Sequence, residues 1–254
     1  MRKPRVLLYD IETTPNLGYI WGKYQQDVIQ YEEETGILCF AYKWLGEKKV
    51  HVVGRDDFKL YDKEPESDVM VLAELWKLFD EADVVIAHNG DSFDQKMSNA
   101  RFIQIGFPKP SWYNSIDTKK VAKKYFRFNS NKLDDLGRIL GVGQKLETGG
   151  FDTWLGCMTG DKAAWKRMKT YNKQDVALLE KVYLKMRPWM EQHPAMNVIA
   201  GRPDACPKCL EIGSMVKRGL KYNKTTVVQR YKCMECGAWS QDIKSYSAKP
   251  LYTS

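Results

Sequence analysis

The segment Val6–Thr13 restricts the possible folds of this chain more than any other segment does, because it is an apolar run that contains two acidic residues. Its hydrophobic side chains fall on both faces of an extended chain, as in a central strand buried between the layers of an α/β protein. Asp10 and Glu12 are two residues apart, so a strand places both carboxylates on the same face. Buried carboxylates repel each other and lose hydration, and a cation between them relieves both penalties. The sequence therefore predicts a cation-binding pair on a central strand.

The pattern of apolar residues predicts further strands and helices as far as residue 186. The predicted strands are residues 37–44, 49–53, 84–87 and 112–116. The predicted helices are residues 67–81 with Ser67 as cap, 92–105, 132–140 with Asn131 as cap, and 162–186. Three early strands precede an alternation of strands and helices. We therefore expect an α/β fold with a mixed sheet flanked by helices.

Asp175 occupies a position in the predicted helix 162–186 where the apolar stripe calls for a hydrophobic residue. Tyr171 lies one turn before it on the same helix face. Two interpretations stay open at this point. Asp175 is either part of a functional site or a buried carboxylate paired with a Lys or Arg.

Asp94 follows the predicted strand 84–87 through a short loop. Loops at strand ends are where α/β proteins place their sites. A purely structural interpretation of the same loop is that Asp91 or Ser92 caps the next helix.

Three short motifs bring these residues together in chain order. D-x-E matches residues 10–12, N-x-x-x-F-D matches residues 89–94, and Y-x-x-x-D matches residues 171–175. In these motifs the chain resembles the DnaQ-like 3′–5′ exonucleases of the DEDD superfamily, which have a ribonuclease-H-like fold. The segment 132–136 adds to this resemblance. Position 170 is Thr where the histidine subclass has His, and Tyr171 is present, so the resemblance is to the tyrosine subclass, DEDDy.

The resemblance implies that Asp10, Glu12, Asp94 and Asp175 hold two Mg²⁺ or Mn²⁺ ions, which prefer hard oxygen ligands. Asp10 would bridge both ions. Glu12 and Asp175 would bind the ion on the nucleophile side, and Asp94 would support the other. In the two-metal mechanism of the family, the ions activate a water and stabilise the leaving oxygen.

The resemblance also assigns roles to three uncharged residues. Tyr171 would hydrogen-bond the attacking water, because a phenol with a pKa near 10 is a poor base at neutral pH. Thr13 and Asn89 are candidates for binding the terminal nucleotide. Together with the four carboxylates, Tyr171 completes the set of catalytic candidates, which is Asp10, Glu12, Asp94, Tyr171 and Asp175.

Two C-x-x-C pairs mark a second module near the C-terminal end. Cys206 and Cys209 form the first pair, and Cys233 and Cys236 form the second. The spacing favours four thiolate ligands to one structural Zn²⁺, a closed sphere that leaves no position for water, over a redox pair. The segment resembles the four-cysteine zinc ribbons of transposases and transcription factors. We therefore expect an exonuclease domain over residues 1–197 and a zinc-ribbon module with a short tail over residues 198–254.

Positive charge is concentrated in this second module. Residues 198–254 hold 10 Lys and Arg against four Asp and Glu, whereas the whole chain has a net charge of +8. Such a balance favours a polyanionic partner, and interleaved aromatic residues suit single strands. The basic residues are Lys217, Arg218, Lys221, Lys224, Arg230 and Lys232, and the aromatic residues are Tyr222, Tyr231 and Trp239. We expect Lys217, Arg218 and Arg230 to bind substrate, with a protein-docking role as the alternative.

The predicted function is a metal-dependent 3′–5′ exonuclease that hydrolyses single-stranded DNA to 5′-mononucleotides. The alternatives are an RNA exonuclease, a structure-dependent endonuclease on the same fold, or a non-catalytic nucleic-acid-binding protein. Replication or repair proteins are the expected protein partners. The apolar runs are too short to cross a bilayer and the N-terminal segment does not read as a signal peptide. We therefore expect no membrane partner and a cytoplasmic location, or the host cytoplasm for a viral chain.

Overall fold

The computed structural model describes residues 3–24, 27–223, 226–242 and 244. The chain divides into two compact units, Arg5–Tyr183 and a second unit that combines Met1–Pro4 with Leu184–Ser254. The boundary expected between residues 197 and 198 stays a prediction.

The first unit is built on a five-stranded mixed sheet. Its strands are β1 (Val6–Thr13), β4 (Ile37–Trp44), β5 (His51–Gly54), β6 (Val84–Ala87) and β7 (Asn114–Asp117). The spatial order is β5-β4-β1-β6-β7, so β1 is the central strand. It pairs antiparallel with β4 and parallel with β6. The predicted mixed sheet is confirmed.

Helices flank this sheet. They are α1 (Val69–Glu81), α2 (Asp94–Gln104), α3 (Thr118–Tyr125), α4 (Leu133–Ile139), α5 (Phe151–Met158) and α6 (Lys162–Met186). One core cluster joins Leu7, Tyr9 and Ile11 of β1 to α1 and α2, through residues such as Leu72 and Phe79. A second cluster joins β4 to α5 and α6. Because successive strand residues point to opposite faces, Asp10 and Glu12 are on the face opposite Tyr9 and Ile11.

Helix α1 begins one residue later than the predicted cap Ser67 implies. Asp68 occupies the cap position, but its carboxylate makes no capping bond. It accepts instead from Ile37 N at 2.9 Å and forms an ion pair with Arg101. A long-range interaction therefore overrides the local capping signal.

A two-stranded hairpin, β2 (Leu17–Tyr19) with β3 (Gln30–Glu33), follows β1 and was not predicted. Its strands are three and four residues long, and four of their seven side chains are polar, charged or Gly. Neither apolar alternation nor length marks such short strands.

The second unit contains a short helix, α7 (Met196–Ile199), and a three-stranded antiparallel sheet in the order β10-β9-β8. The strands are β8 (Met215–Tyr222), β9 (Val227–Cys233) and β10 (Trp239–Gln241). Lys224, one of the predicted basic residues, lies outside the described residues. Across the described ranges, no helix is both long enough and apolar enough to traverse a bilayer.

Candidate active site

The carboxylates of Asp10, Glu12 and Asp175 converge. Each offers an oxygen atom within 4.8 Å of those of the other two. Asp10 and Glu12 come from the C-terminal half of β1, and Asp175 comes from α6, where it is 1% exposed. The apolar stripe of α6 packs this helix on the sheet, and Asp175 takes one position of the stripe. The sequence thus placed all three residues on the elements that bring them together.

Asp94 lies beside this cluster as the first residue of α2. Its Oδ1 accepts a hydrogen bond from Ile11 N at 3.2 Å, and Ile11 separates Asp10 from Glu12 on β1. The turn before it requires Asn89 to adopt a positive φ of 70°, which Asn tolerates better than most residues. Asn89 N donates to Asp117 Oδ1 at 3.0 Å, which fixes this turn.

Asn172 connects α6 to β1 and was not foreseen from the sequence. It is fully buried, and its Nδ2 donates to Asp10 Oδ2 at 2.8 Å and to Asp10 O at 3.2 Å. The amide therefore orients the carboxylate of Asp10. An Asn one residue after Tyr171, on the inner side of an amphipathic helix, is the signal that would have found it.

Lys145 is the second residue that the sequence did not indicate. It lies in the loop between α4 and α5, and its Nζ donates to Asp175 Oδ2 at 2.5 Å and to Tyr171 Oη at 3.0 Å. Asp134 of α4 accepts from Lys145 N at 2.8 Å and so anchors the loop. Asp175 is therefore paired with a Lys, as the structural interpretation holds, and it also belongs to the carboxylate cluster. Its part in a functional site stays a prediction.

The carboxylates strongly disfavour the ionised state in the absence of a cation. Burial raises the pKa of Asp10 well above its usual value, and the charges of Asp94 and Glu12 raise it further. Burial, with the charge of Asp175, raises the pKa of Glu12 to about 8. Burial also raises the pKa of Asp94 to about 6, although the hydrogen bond from Ile11 N opposes the shift.

Tyr171 and Lys145 both retain their protons at neutral pH. Burial raises the pKa of Tyr171 above its usual value, although the hydrogen bond from Lys145 opposes this. Burial lowers the pKa of Lys145, but the charge and hydrogen bond of Asp175 outweigh it and raise the pKa overall. The phenol is therefore a hydrogen-bonding group and the amine is a cation.

The donor set fits divalent cations. Among the described residues, no donor reaches the buried Oδ1 of Asp175. Four carboxylates lie close together with one ammonium group among them, and their raised pKa values mean that protons neutralise part of the cluster when no cation is bound. A divalent cation can replace these protons. Oxygen ligands of this kind suit Mg²⁺ and Mn²⁺. Asp10, Glu12 and Asp175 are the residues that would hold such an ion, with Asp94 beside them.

Thr13, one of the expected nucleotide contacts, ends β1 one residue after Glu12, at an irregularity in the pairing with β4. His88 precedes Asn89 and has a structural role. Its ring nitrogens lie 2.9 Å from Thr118 Oγ1 and 3.0 Å from Asn131 O, and burial lowers its pKa to about 4.

The four paired cysteines form a separate cluster. Cys206 Sγ and Cys236 Sγ are 3.8 Å apart, and Cys209 Sγ and Cys233 Sγ are 3.7 Å apart. A tetrahedral ion with metal–sulfur bonds of about 2.3 Å places its sulfurs about 3.8 Å apart. The geometry therefore fits a Zn²⁺ ion, for which these four residues would be the ligands.

Backbone amides support the thiolates in this cluster. Cys236 N donates to Cys233 Sγ at 3.4 Å, and Lys208 N donates to Cys206 Sγ at 3.5 Å. Burial raises the pKa of Cys233, but the hydrogen bond from Cys236 N and the one between Cys233 Sγ and Ser214 Oγ outweigh this effect and lower the pKa to about 6. The expected substrate contacts of this unit, Lys217, Arg218 and Arg230, are exposed on β8 and β9.

Comparisons with known proteins agree with this architecture. A family model described as the RNase H superfamily matches residues 29–187, which is more than half of the chain. Among solved structures, the chain is similar to the family B DNA polymerase of the hyperthermophilic archaeon Pyrobaculum calidifontis, with a TM-score of 0.54 and 17% identity. The match covers 73% of this chain and 25% of that polymerase chain, and at this identity it is a likeness of fold. A search of curated proteins gives no match.

The extent of the family match and the sheet order centred on β1 lead to the same assignment. The chain belongs to the RNase H superfamily and has its nuclease fold.

Proposed function

We propose that the protein is a metal-dependent 3′–5′ exonuclease of the DEDDy type, which hydrolyses single-stranded DNA to 5′-mononucleotides. The observation that carries this proposal is the convergence of Asp10, Glu12 and Asp175 within 4.8 Å, on elements of a nuclease fold. Neighbouring carboxylates destabilise each other, so such a cluster does not stabilise the fold in the absence of a bound cation.

Asp10, Glu12, Asp94 and Asp175 would hold two Mg²⁺ or Mn²⁺ ions in this proposal. When bound, such ions polarise a water and neutralise charge on the scissile phosphate. The role of Asn172 is to orient the Asp10 carboxylate through its two hydrogen bonds. The role of Asp94 is supported by its bond to Ile11 N, which keeps the carboxylate next to β1.

Tyr171 and Lys145 act on the nucleophile side of the cluster. Tyr171 keeps its proton, so it does not act as the general base. It forms a hydrogen bond with the attacking water, either as donor or as acceptor. The ammonium nitrogen of Lys145 lies 3.0 Å from the Tyr171 oxygen. Its positive charge stabilises the negative charge of a substrate phosphate at this position. Thr13 and Asn89 are proposed to bind the terminal nucleotide. Thr13 directly follows Glu12 on β1, and Asn89 lies in the turn that leads to Asp94.

The cysteine cluster supplies a structural Zn²⁺ site in this proposal, in the manner of a zinc ribbon. The unit that contains it is basic and would bind the nucleic acid outside the active site. Contacts at two places on one strand raise the affinity for long substrates over short ones.

Circular and linear single strands of the same sequence test the exonuclease mode. With Mg²⁺ or Mn²⁺, we expect linear DNA to be converted to 5′-mononucleotides, identified by chromatography, and circular DNA to persist. Cleavage of the circle at a comparable rate would contradict the exonuclease mode and favour an endonuclease. A parallel RNA substrate shows whether the enzyme selects the sugar.

A further inference from the structure

The sheet β8–β9–β10 has two faces of different chemistry. Residues directly opposite each other on antiparallel strands have their side chains on the same face. Lys232 is opposite both Val216 and Trp239, Arg230 is opposite Gln241, and Lys221 is opposite Val228. Residues 228, 230 and 232 alternate along β9, so all these residues share one face, which we name the Trp239 face. Apart from buried Val228, its members are Val216, Lys221, Arg230, Lys232, Trp239 and Gln241.

The opposite face contains Lys217, Tyr222 and Tyr231, because Lys217 pairs with Tyr231 and Tyr222 pairs with Val227. Part of this face is turned toward other residues of the same unit. Tyr231 lines a cavity together with Ala195 and Met215. The structure thus separates the basic and aromatic residues that the sequence presents as a single interleaved set.

The Trp239 face combines an exposed indole with three cations. Trp239 is 47% exposed, and the guanidinium carbon of Arg230 lies 5.1 Å from the centre of its ring. Lys221 Nζ donates to Gln241 Oε1 at 3.0 Å, which holds this lysine on the face. None of the described members of the face is acidic, so nothing among them offsets the positive charge.

We propose that the Trp239 face binds single-stranded nucleic acid. Trp239 stacks on a base, while Lys221, Arg230 and Lys232 contact phosphates. Proteins bind unpaired strands with aromatic side chains beside cations. The bases of an unpaired strand expose a stacking surface that a duplex hides, and the cations contact the phosphates. The inference deepens the proposed function, since it rests on the substrate being a nucleic acid and names the surface that binds it away from the carboxylates.

Binding is measured on the full chain carrying Asp10→Asn, so that the strand is not degraded. Fluorescence anisotropy of a labelled single strand, as DNA and as RNA, is recorded over a range of salt concentrations without added Mg²⁺ or Mn²⁺. The charge variants are Arg230→Ala and its control Lys185→Ala, which removes an exposed cation that lies outside this sheet. The aromatic variants are Trp239→Ala and its control Tyr222→Ala, which removes a side chain that is 74% exposed.

We expect Arg230→Ala to weaken binding and to reduce the slope of log K against log salt by about 0.7, the value for one phosphate contact on a single strand. Trp239→Ala should weaken binding at least about five-fold with an unchanged slope, since stacking does not release counterions. Both controls should bind like the parent chain. Zinc content and circular dichroism show that each variant is folded, and Arg230→Lys and Trp239→Phe should retain most of the affinity.

Equal losses in the controls, or no loss in Arg230→Ala and Trp239→Ala, would overturn the proposal, as would tight binding of an acidic peptide in place of the strand. The binding result is independent of catalysis. If the Trp239 face binds strands but the unmutated chain with Mg²⁺ or Mn²⁺ digests none, the proposed exonuclease function fails and the inference about the face remains.

Discussion

Asp10 is half-buried beside the carboxylates of Glu12, Asp94 and Asp175, and its effect on stability in the absence of divalent cations can be measured. We expect Asp10→Asn to raise the free energy of unfolding by about 1–3 kcal/mol. The substitution removes an acid that folding forces either to take up a proton or to hold a poorly solvated charge, and it keeps an acceptor for Asn172. Turnover should fall at least about a hundredfold. Urea unfolding at neutral pH without added Mg²⁺ or Mn²⁺ measures the first effect.

Asp62→Asn, at an exposed position, is the matched control and should leave both quantities unchanged. A lower free energy of unfolding for Asp10→Asn than for the parent chain would show that the carboxylate stabilises the fold, contrary to this account.

Glu12 makes the stability of the metal-free protein depend on pH. Its pKa is raised to about 8 in the folded protein, so the folded state binds more protons than the unfolded state between about pH 4.5 and pH 8. Stability should therefore fall as the pH rises through this range and level off above it. Glu12→Gln should reduce the slope, and exposed Glu64→Gln should not. Added Mn²⁺ should restore stability at pH 8; a slope of opposite sign would contradict the assignment.

Lys145 shares Asp175 with any cation that binds there. We expect Lys145→Met to lower the free energy of unfolding without added metal by about 1–2 kcal/mol, because it leaves Asp175 without its counter-charge. In the variant, no ammonium group competes with the metal ion for the Asp175 carboxylate, so Mn²⁺ should stabilise the variant more than the parent chain. Lys166→Met, on the exposed side of α6, is the control. An identical Mn²⁺ response in variant and parent would show that Lys145 and the ion do not compete.

At the scale of elements, β1 and α6 were predicted with their observed bounds because each is long and strongly patterned. Val6–Thr13 is apolar on both faces, and Lys162–Met186 keeps its stripe over 25 residues. These two elements supply Asp10, Glu12, Tyr171 and Asp175. Most of the candidate site was therefore accessible from the sequence.

Lys145 was not accessible in the same way, because its position depends on a loop. The segment between α4 and α5 has no periodic pattern, and Gly143 and Gly149 have positive φ values of 141° and 79°. Its course is set by tertiary contacts, such as the bond from Lys145 N to Asp134. Local sequence rules do not include such contacts.

The cysteine turns of the second unit hold a sheet that has few buried side chains. We expect Cys233→Ser to lose the bound Zn²⁺, measured by atomic absorption, and to make residues 198–254 sensitive to protease. Cys157→Ala, a free cysteine outside the cluster, should keep one equivalent of zinc. Full protease resistance of the zinc-free variant would show that the metal does not stabilise this unit.

At the scale of the whole molecule, the chain combines a nuclease-fold unit with a basic cysteine-rich unit. The family match ends at residue 187, so the cluster formed by Cys206, Cys209, Cys233 and Cys236 lies outside it. Residues 198–254 also have the larger share of the net positive charge. In this account, one unit hydrolyses the strand and the other binds it.

Digestion of 5′-labelled single-stranded DNA and RNA of one sequence shows directly whether the carboxylate cluster is catalytic. The reaction is run with Mg²⁺, with Mn²⁺ and without either ion, for the full chain and for Asp10→Asn. We expect a ladder of labelled strands that shorten from the 3′ end, present with either ion and absent in the variant or without added metal. Intact strands under every condition, with binding retained, would contradict the claim that the carboxylate cluster is catalytic.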